Sequence, residues 1–131
     1  MGSGVVKRME SAWRSLKSVK HDINNGFYEW ATIKSYKASE AALCAVLDVD
    51  LDAYHVHKLS DLYRMAAARC GGEDDVMHCV SYVESVYSTC FTSERDAESK
   101  CDLVTTISSF RCSRMILSWA QRCLSQGEHP D

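Results

Sequence analysis

A chain of 131 residues is long enough for one hydrophobic core and too short for two domains of ordinary size, and its 46% hydrophobic and 25% charged residues exclude a disordered or fibrous protein. No run approaches the roughly 18–20 apolar residues of a membrane span, and the N-terminal segment lacks the apolar core of a secretory signal, which predicts a cytoplasmic protein. The net charge of −3 is unevenly spread: residues 1–37 carry seven basic and three acidic side chains, a local +4 against −7 for residues 38–131, so a phosphate-facing surface is expected in the first third.

A single proline, Pro130, and the absence of alternating Val/Ile/Thr/Tyr runs predict an all-α chain. Residues 1–4 read as an expression scar and 126–131 as a flexible tail, leaving 5–125 as one helical bundle. A first helix is expected from about Val5 to Asn24, with Val6, Met9, Trp13, Leu16, Lys20 and Ile23 on one stripe, ended by Asn24-Asn25-Gly26. A second runs from about Phe27 to Leu47, carrying Trp30, Ile33 or Lys34, Ala38, Ala41, Ala42 and Ala45; its alanines allow a neighbouring helix to approach closely.

Residues 48–57 show no helical period and read as a loop, and Leu59, Leu62, Tyr63 and Ala66 open a short third helix that Gly71-Gly72 stops. A fourth spans about Asp74 to Tyr87, with Val76, Val80, Val83 and Tyr87 inward and acidic residues at its positive end. Ser88–Thr92 reads as a break. Thr92 or Ser93 then caps a long last helix over about 94–124, with Ala97, Cys101, Val104, Ser108, Met115 and Trp119 inward. Such elements pack most simply as an up-and-down bundle of four to five helices.

The seven cysteines form no Cys-x-x-Cys pair, and read as reduced, small apolar side chains. The last five are spaced by 11, which would put Cys101, Cys112 and Cys123 on one stripe of a shared helix; a stripe does not converge on a zinc ion. Asp48, Asp50 and Asp52 alternate like calcium ligands but lack the glycine and the terminal Glu of such loops, and His55-x-His57 has no third ligand nearby, so both read as a solvated loop. No metal and no cofactor is expected.

Phosphate loops and the Gly-x-Ser-x-Gly elbow are missing, which removes the usual nucleotide-hydrolase and acyl-transfer signatures. Lys34 and Lys37 stand at i and i+3 on the second helix, where both ammonium groups reach one phosphate; Arg14 and Lys17 repeat the spacing on the first, with Lys20 in support. Trp30 or Tyr36 would stack on a base, unless they serve the core.

Glu29, Trp30, Lys34, Tyr36 and Ser39 form a Glu-Trp-x3-Lys-x-Tyr-x2-Ser pattern, and His57, Leu59 and Leu62 a His-x-Leu-x-x-Leu helix start. Over residues 11–62 the chain resembles the HEPN domain family and looks closest to its sacsin-type members. The resemblance implies a helical bundle that pairs into a homodimer and binds nucleotides, such as ATP or GTP, or other phosphorylated ligands at a basic surface. Other domains of a larger parent protein are further expected partners; a membrane is not, and RNA is the least expected. Two readings stand beside this one: a protein-interaction or oligomerisation domain without a ligand, and a metal-independent ribonuclease. The ribonuclease members of the family carry an Arg-x4–6-His motif on a late helix. Here Arg14 with His21 fits the spacing only on the first helix, and Arg122 with His129 only in the terminal tail.

Overall fold

The computed structural model describes residues 3–49, 58–92 and 101–127. Among them are five helices and no strand: α1 (Ser3–Asn24), α2 (Tyr28–Leu47), α3 (Leu59–Cys70), α4 (Asp74–Thr92) and α5 (Leu103–Gly127). The four long helices run up, down, up and down. Trp13 Nε1 donates to Gln121 Oε1 at 3.3 Å while the other end of α1 meets the start of α5, so these two helices are antiparallel and α2 and α5 run parallel. Short α3 closes the end of the bundle where α2 stops and α4 begins.

Helix α2 is the centre of the molecule, packed against all four others. It can be, because most of its buried side chains are small: Ala31, Thr32, Ser35, Ala38, Ser39, Ala42 and Ala45 let neighbouring helices come close, while Leu43 and Leu47 are its large apolar side chains in the core. The hydroxyls of Ser39 and of Ser113 from α5 converge on the Ser35 carbonyl at that contact. Ser113 Oγ donates to the Ser35 carbonyl at 2.9 Å, Ser39 Oγ donates to the same carbonyl at 2.9 Å, and the two hydroxyls lie 2.8 Å apart.

The ends of the helices follow from local chemistry. Gly26, at φ 76°, turns the chain after α1, and the Phe27 amide donates back to the Asp22 carbonyl at 2.8 Å. Asp48 takes the left-handed conformation after α2 (φ 55°), a role its short polar side chain tolerates, and Arg69 of α3 donates to the last carbonyl of α2, Leu47 O, at 3.0 Å. The Tyr63 hydroxyl accepts from the Glu73 amide at 2.8 Å and donates to the Glu73 carbonyl at 3.1 Å, fixing the step from α3 into α4.

Several expectations need correction. The inward stripe of α1 is Val5, Met9, Ala12, Leu16 and Val19; Val6 and Lys20 face solvent, and Trp13 is half-buried. Ala12 rather than Trp13 lies on this line because the close α1–α2 approach has no room for an indole. Trp30 is 61% exposed for the same reason, with Ala31 beside it taking the inward position.

Helix α4 continues through Ser88–Thr92, where a break was expected; Val86 and Cys90 are buried in this last stretch and hold it against the bundle. The last helix starts at Leu103, not near 94. Asp102 caps it, its Oδ1 accepting from the Thr105 amide at 2.8 Å. The inward side of α5 is Thr106, Ser109, Phe110, Ser113, Ile116, Leu117, Ala120 and Cys123 with Trp119, whereas Val104 and Met115 are exposed. Small hydroxyl residues there face the equally small surface of α2.

The cysteines are not all reduced: Cys70 is bonded to Cys123 and Cys90 to Cys101. An 11-residue step is about three helical turns, so it keeps Cys79 and Cys90 on one side of α4 and Cys112 and Cys123 on one side of α5; Cys70, at the end of α3, stands outside this series. Asp50, Asp52, His55, His57, Ala97 and His129 lie outside the described residues. Ser3 and Gly4, set aside as scar, are part of α1, and α5 runs to Gly127, two residues into the expected tail.

Candidate functional site

The two lysines expected to clamp a phosphate each face a carboxylate of the fold. Lys34 Nζ is 2.8 Å from Oδ2 of Asp22, whose side chain is buried at the end of α1; the contact is an ion pair rather than an aligned hydrogen bond. Lys37 Nζ stands 3.6 Å from Glu40 Oε1, another buried carboxylate, one turn along α2. Tyr36 is stacked on Tyr87 of α4 with ring centroids 4.0 Å apart, so its ring is part of the α2–α4 contact. Burial first, then the carboxylates of Glu40 and Glu84, push its phenol up to about 12.

The three basic residues of α1 are placed differently. Arg14, Lys17 and Lys20 are exposed and succeed one another at three-residue steps along one side of the helix. At the far end of this row, Lys20 borders a cleft of about 280 Å³ between α1 and α5, lined also by Ile23, Asn24, Ile107, Phe110, Arg111 and Arg114. Three cations and no carboxylate line it. None of the three forms an ion pair among the described residues, and the Arg114 guanidinium lies over the Phe110 ring, 5.9 Å from its centroid.

The opposite end of this helix pair differs in composition. At the other end of the same helix pair, a cleft of about 390 Å³ is lined by Val6, Met9, Glu10, Trp13, Gln121, Leu124 and Ser125, with a carboxylate and no cation. Unpaired guanidinium groups beside an apolar floor suit a phosphate carrying a flat or apolar group: Arg offers bidentate donors, while Phe110, Ile23 and Ile107 offer carbon surface.

Arg111 and Arg114 were not singled out from the sequence, because residues 38–131 are acidic in sum. The signal was present nonetheless as Arg-x-x-Arg, the same i, i+3 spacing that drew attention to Lys34 and Lys37. What no local pattern contains is the α1–α5 pairing that adds Lys20.

The sequence profile of the HEPN domain matches residues 5–123. The chain belongs to the HEPN domain family. No curated protein and no solved structure gives a significant match to it. Within this HEPN bundle the late helix is α5, which carries Arg111, Arg114 and Arg122 but no histidine. His21 lies on α1. Arg122 is engaged by both oxygens of Glu73, at 3.1 and 3.2 Å. Among the described residues no group of three or more His, Cys, Asp or Glu side chains could hold a metal ion, and no helix is long and apolar enough to cross a membrane.

Proposed function

We propose that this HEPN domain is a non-catalytic module that binds a nucleotide or another phosphorylated ligand in the cleft between α1 and α5. The observation that carries the reading is the convergence of Lys20, Arg111 and Arg114 on one concave surface without a neutralising carboxylate. Arg14 and Lys17 extend the positive row along α1 and attract the ligand at longer range, screened beyond about 8–10 Å in physiological salt. Lys34 and Lys37, the first candidates from the sequence, act in this reading as internal counter-ions of Asp22 and Glu40. Affinity is micromolar to millimolar, since the sequence holds no Gly-rich phosphate loop, and falls as salt is raised.

Dimerisation belongs to the same reading, through a surface other than the small-residue face of α2. The small-residue face of α2 is consumed inside the protomer. Phe27 and Trp30, 51% and 61% exposed beside Cys101, lie at the end of the bundle where α5 also begins with exposed Leu103 and Val104. Such a patch is the contact expected of an isologous dimer. The Glu29, Trp30, Lys34, Tyr36 and Ser39 pattern supports placing the chain among the sacsin-type members of the family.

A thermal-shift panel of ATP, GTP, their monophosphates and inorganic phosphate, read beside the mass in solution from light scattering, tests both parts. Stabilisation by phosphorylated compounds at low salt and a dimer mass at tens of micromolar protein are expected. Absence of any shift together with a dimer mass favours an interaction module without a ligand.

A further inference from the structure

The cysteine spacing has a second consequence, away from the basic cleft. Cys79, Cys90, Cys101, Cys112 and Cys123 follow one another at steps of 11 residues. In a helix each step advances about 16 Å and returns to nearly the same side. Helices α4 and α5 are packed along each other and run in opposite directions, as three contacts show: Cys90 is bonded to Cys101 at one end, Cys79 meets Met115 in the middle, and Glu73 meets Arg122 at the other end. Along the chain the two disulfides are nested, Cys90–Cys101 inside Cys70–Cys123, which ties the end of α3 to α5, with Cα–Cα separations of 5.6 and 5.8 Å.

Between these two rungs the same spacing sets Cys79 of α4 opposite Cys112 of α5. Both are thiols and both are half-buried, within reach of a small reagent. The Cys79 thiol donates to Sδ of Met115 at 3.4 Å, one turn along α5 from Cys112, and is close enough to Cys112 to shift its titration. We propose that Cys79 and Cys112 form a thiol–disulfide exchange site that closes a third disulfide, binding α4 to α5 between the Cys90–Cys101 bond and the Cys70–Cys123 bond that joins α3 to α5.

The oxidant is a low-molecular-weight disulfide of the glutathione type. Cys79, as thiolate, attacks one of its sulfurs; a mixed disulfide forms on Cys79 and the first small thiolate leaves. Cys112 then gives up its proton and displaces the second small thiolate, forming the Cys79–Cys112 bond. The protein loses two electrons and two protons, and the small disulfide is reduced to two thiols. Burial and the neighbouring Cys79 thiol push the Cys112 thiol up to about 12.

Peptide and intact-mass analysis of the whole chain tests the site. Protein purified with its two disulfides holds three thiols, those of Cys44, Cys79 and Cys112. After incubation with oxidised glutathione, denaturation and alkylation, the number of alkyl groups is expected to fall from three to one, with a cross-linked peptide joining Cys79 to Cys112. A Cys112→Ser variant should stop at one glutathione held on Cys79. Three alkyl groups retained, or two glutathione adducts without the cross-linked peptide, would overturn the proposal. Digestion of wild type alone distinguishes these outcomes if the variant does not fold.

Discussion

Nζ of Lys34 lies 2.8 Å from Oδ2 of Asp22 and so ties the start of α2 to the end of α1. Asp22 is a costly residue in its position: its side chain is buried, and it stands within the last turn of a helix, where the dipole disfavours negative charge. The lysine offsets both terms. Removing it leaves an unpaired buried carboxylate.

Lys34→Ala should therefore destabilise the bundle by about 2 kcal/mol, below the ~3–5 of a fully buried pair because the lysine is one-third exposed. Urea denaturation measures this. Lys34→Ala in an Asp22→Asn background should cost much less, and equal losses in the two backgrounds would show that the ion pair contributes nothing.

Hydroxyl groups along the α2–α5 contact separate into two kinds. Ser113 donates to the Ser35 carbonyl beside the Ser39 hydroxyl, whereas Thr106 Oγ1 is buried without a hydrogen-bond partner among the described residues. Ser113→Ala should cost about 1–2 kcal/mol, and Thr106→Val, which keeps the shape and removes the unpaired group, should be neutral or stabilising by about 1 kcal/mol. Thermal midpoints of the two variants check the opposite signs.

Asp102 links acidity to the start of α5. Hydrogen bonds from the Thr105 amide, in first place, and the Thr105 hydroxyl hold its carboxyl below the usual range. A carboxyl depressed in the folded state contributes stability above its unfolded pKa of about 3.9 and loses it as pH falls through the folded value. Asp102→Ala should thus melt below wild type at neutral pH, and the gap should close in acid. A gap independent of pH would assign the effect to something other than the ionised cap.

The fold was legible in the sequence to the extent that side-chain size and polarity agree. In α3, Leu59, Leu62, Tyr63 and Ala66 are the expected core and are its buried residues. Where inward positions are Ser, Thr or Ala, as at Thr32, Ser35, Ser109 and Ser113, hydrophobic periodicity points to the wrong side, and both Trp30 and Val104 were misplaced by it. The site was legible in part. Lys20 was named from local charge, but the ion pairs that occupy Lys34 and Lys37 and the arginines that join Lys20 come from helix pairing, which no spacing within one helix encodes.

Calorimetric titration of ATP at low salt into wild type, Arg111→Ala/Arg114→Ala and Lys34→Ala/Lys37→Ala tests the central claim most directly. Binding is expected to wild type, with a loss of tenfold or more in the arginine variant and little change in the lysine variant once each is shown to be folded. Equal heats in wild type and the arginine variant, with loss only in the lysine variant, would contradict a ligand site between α1 and α5.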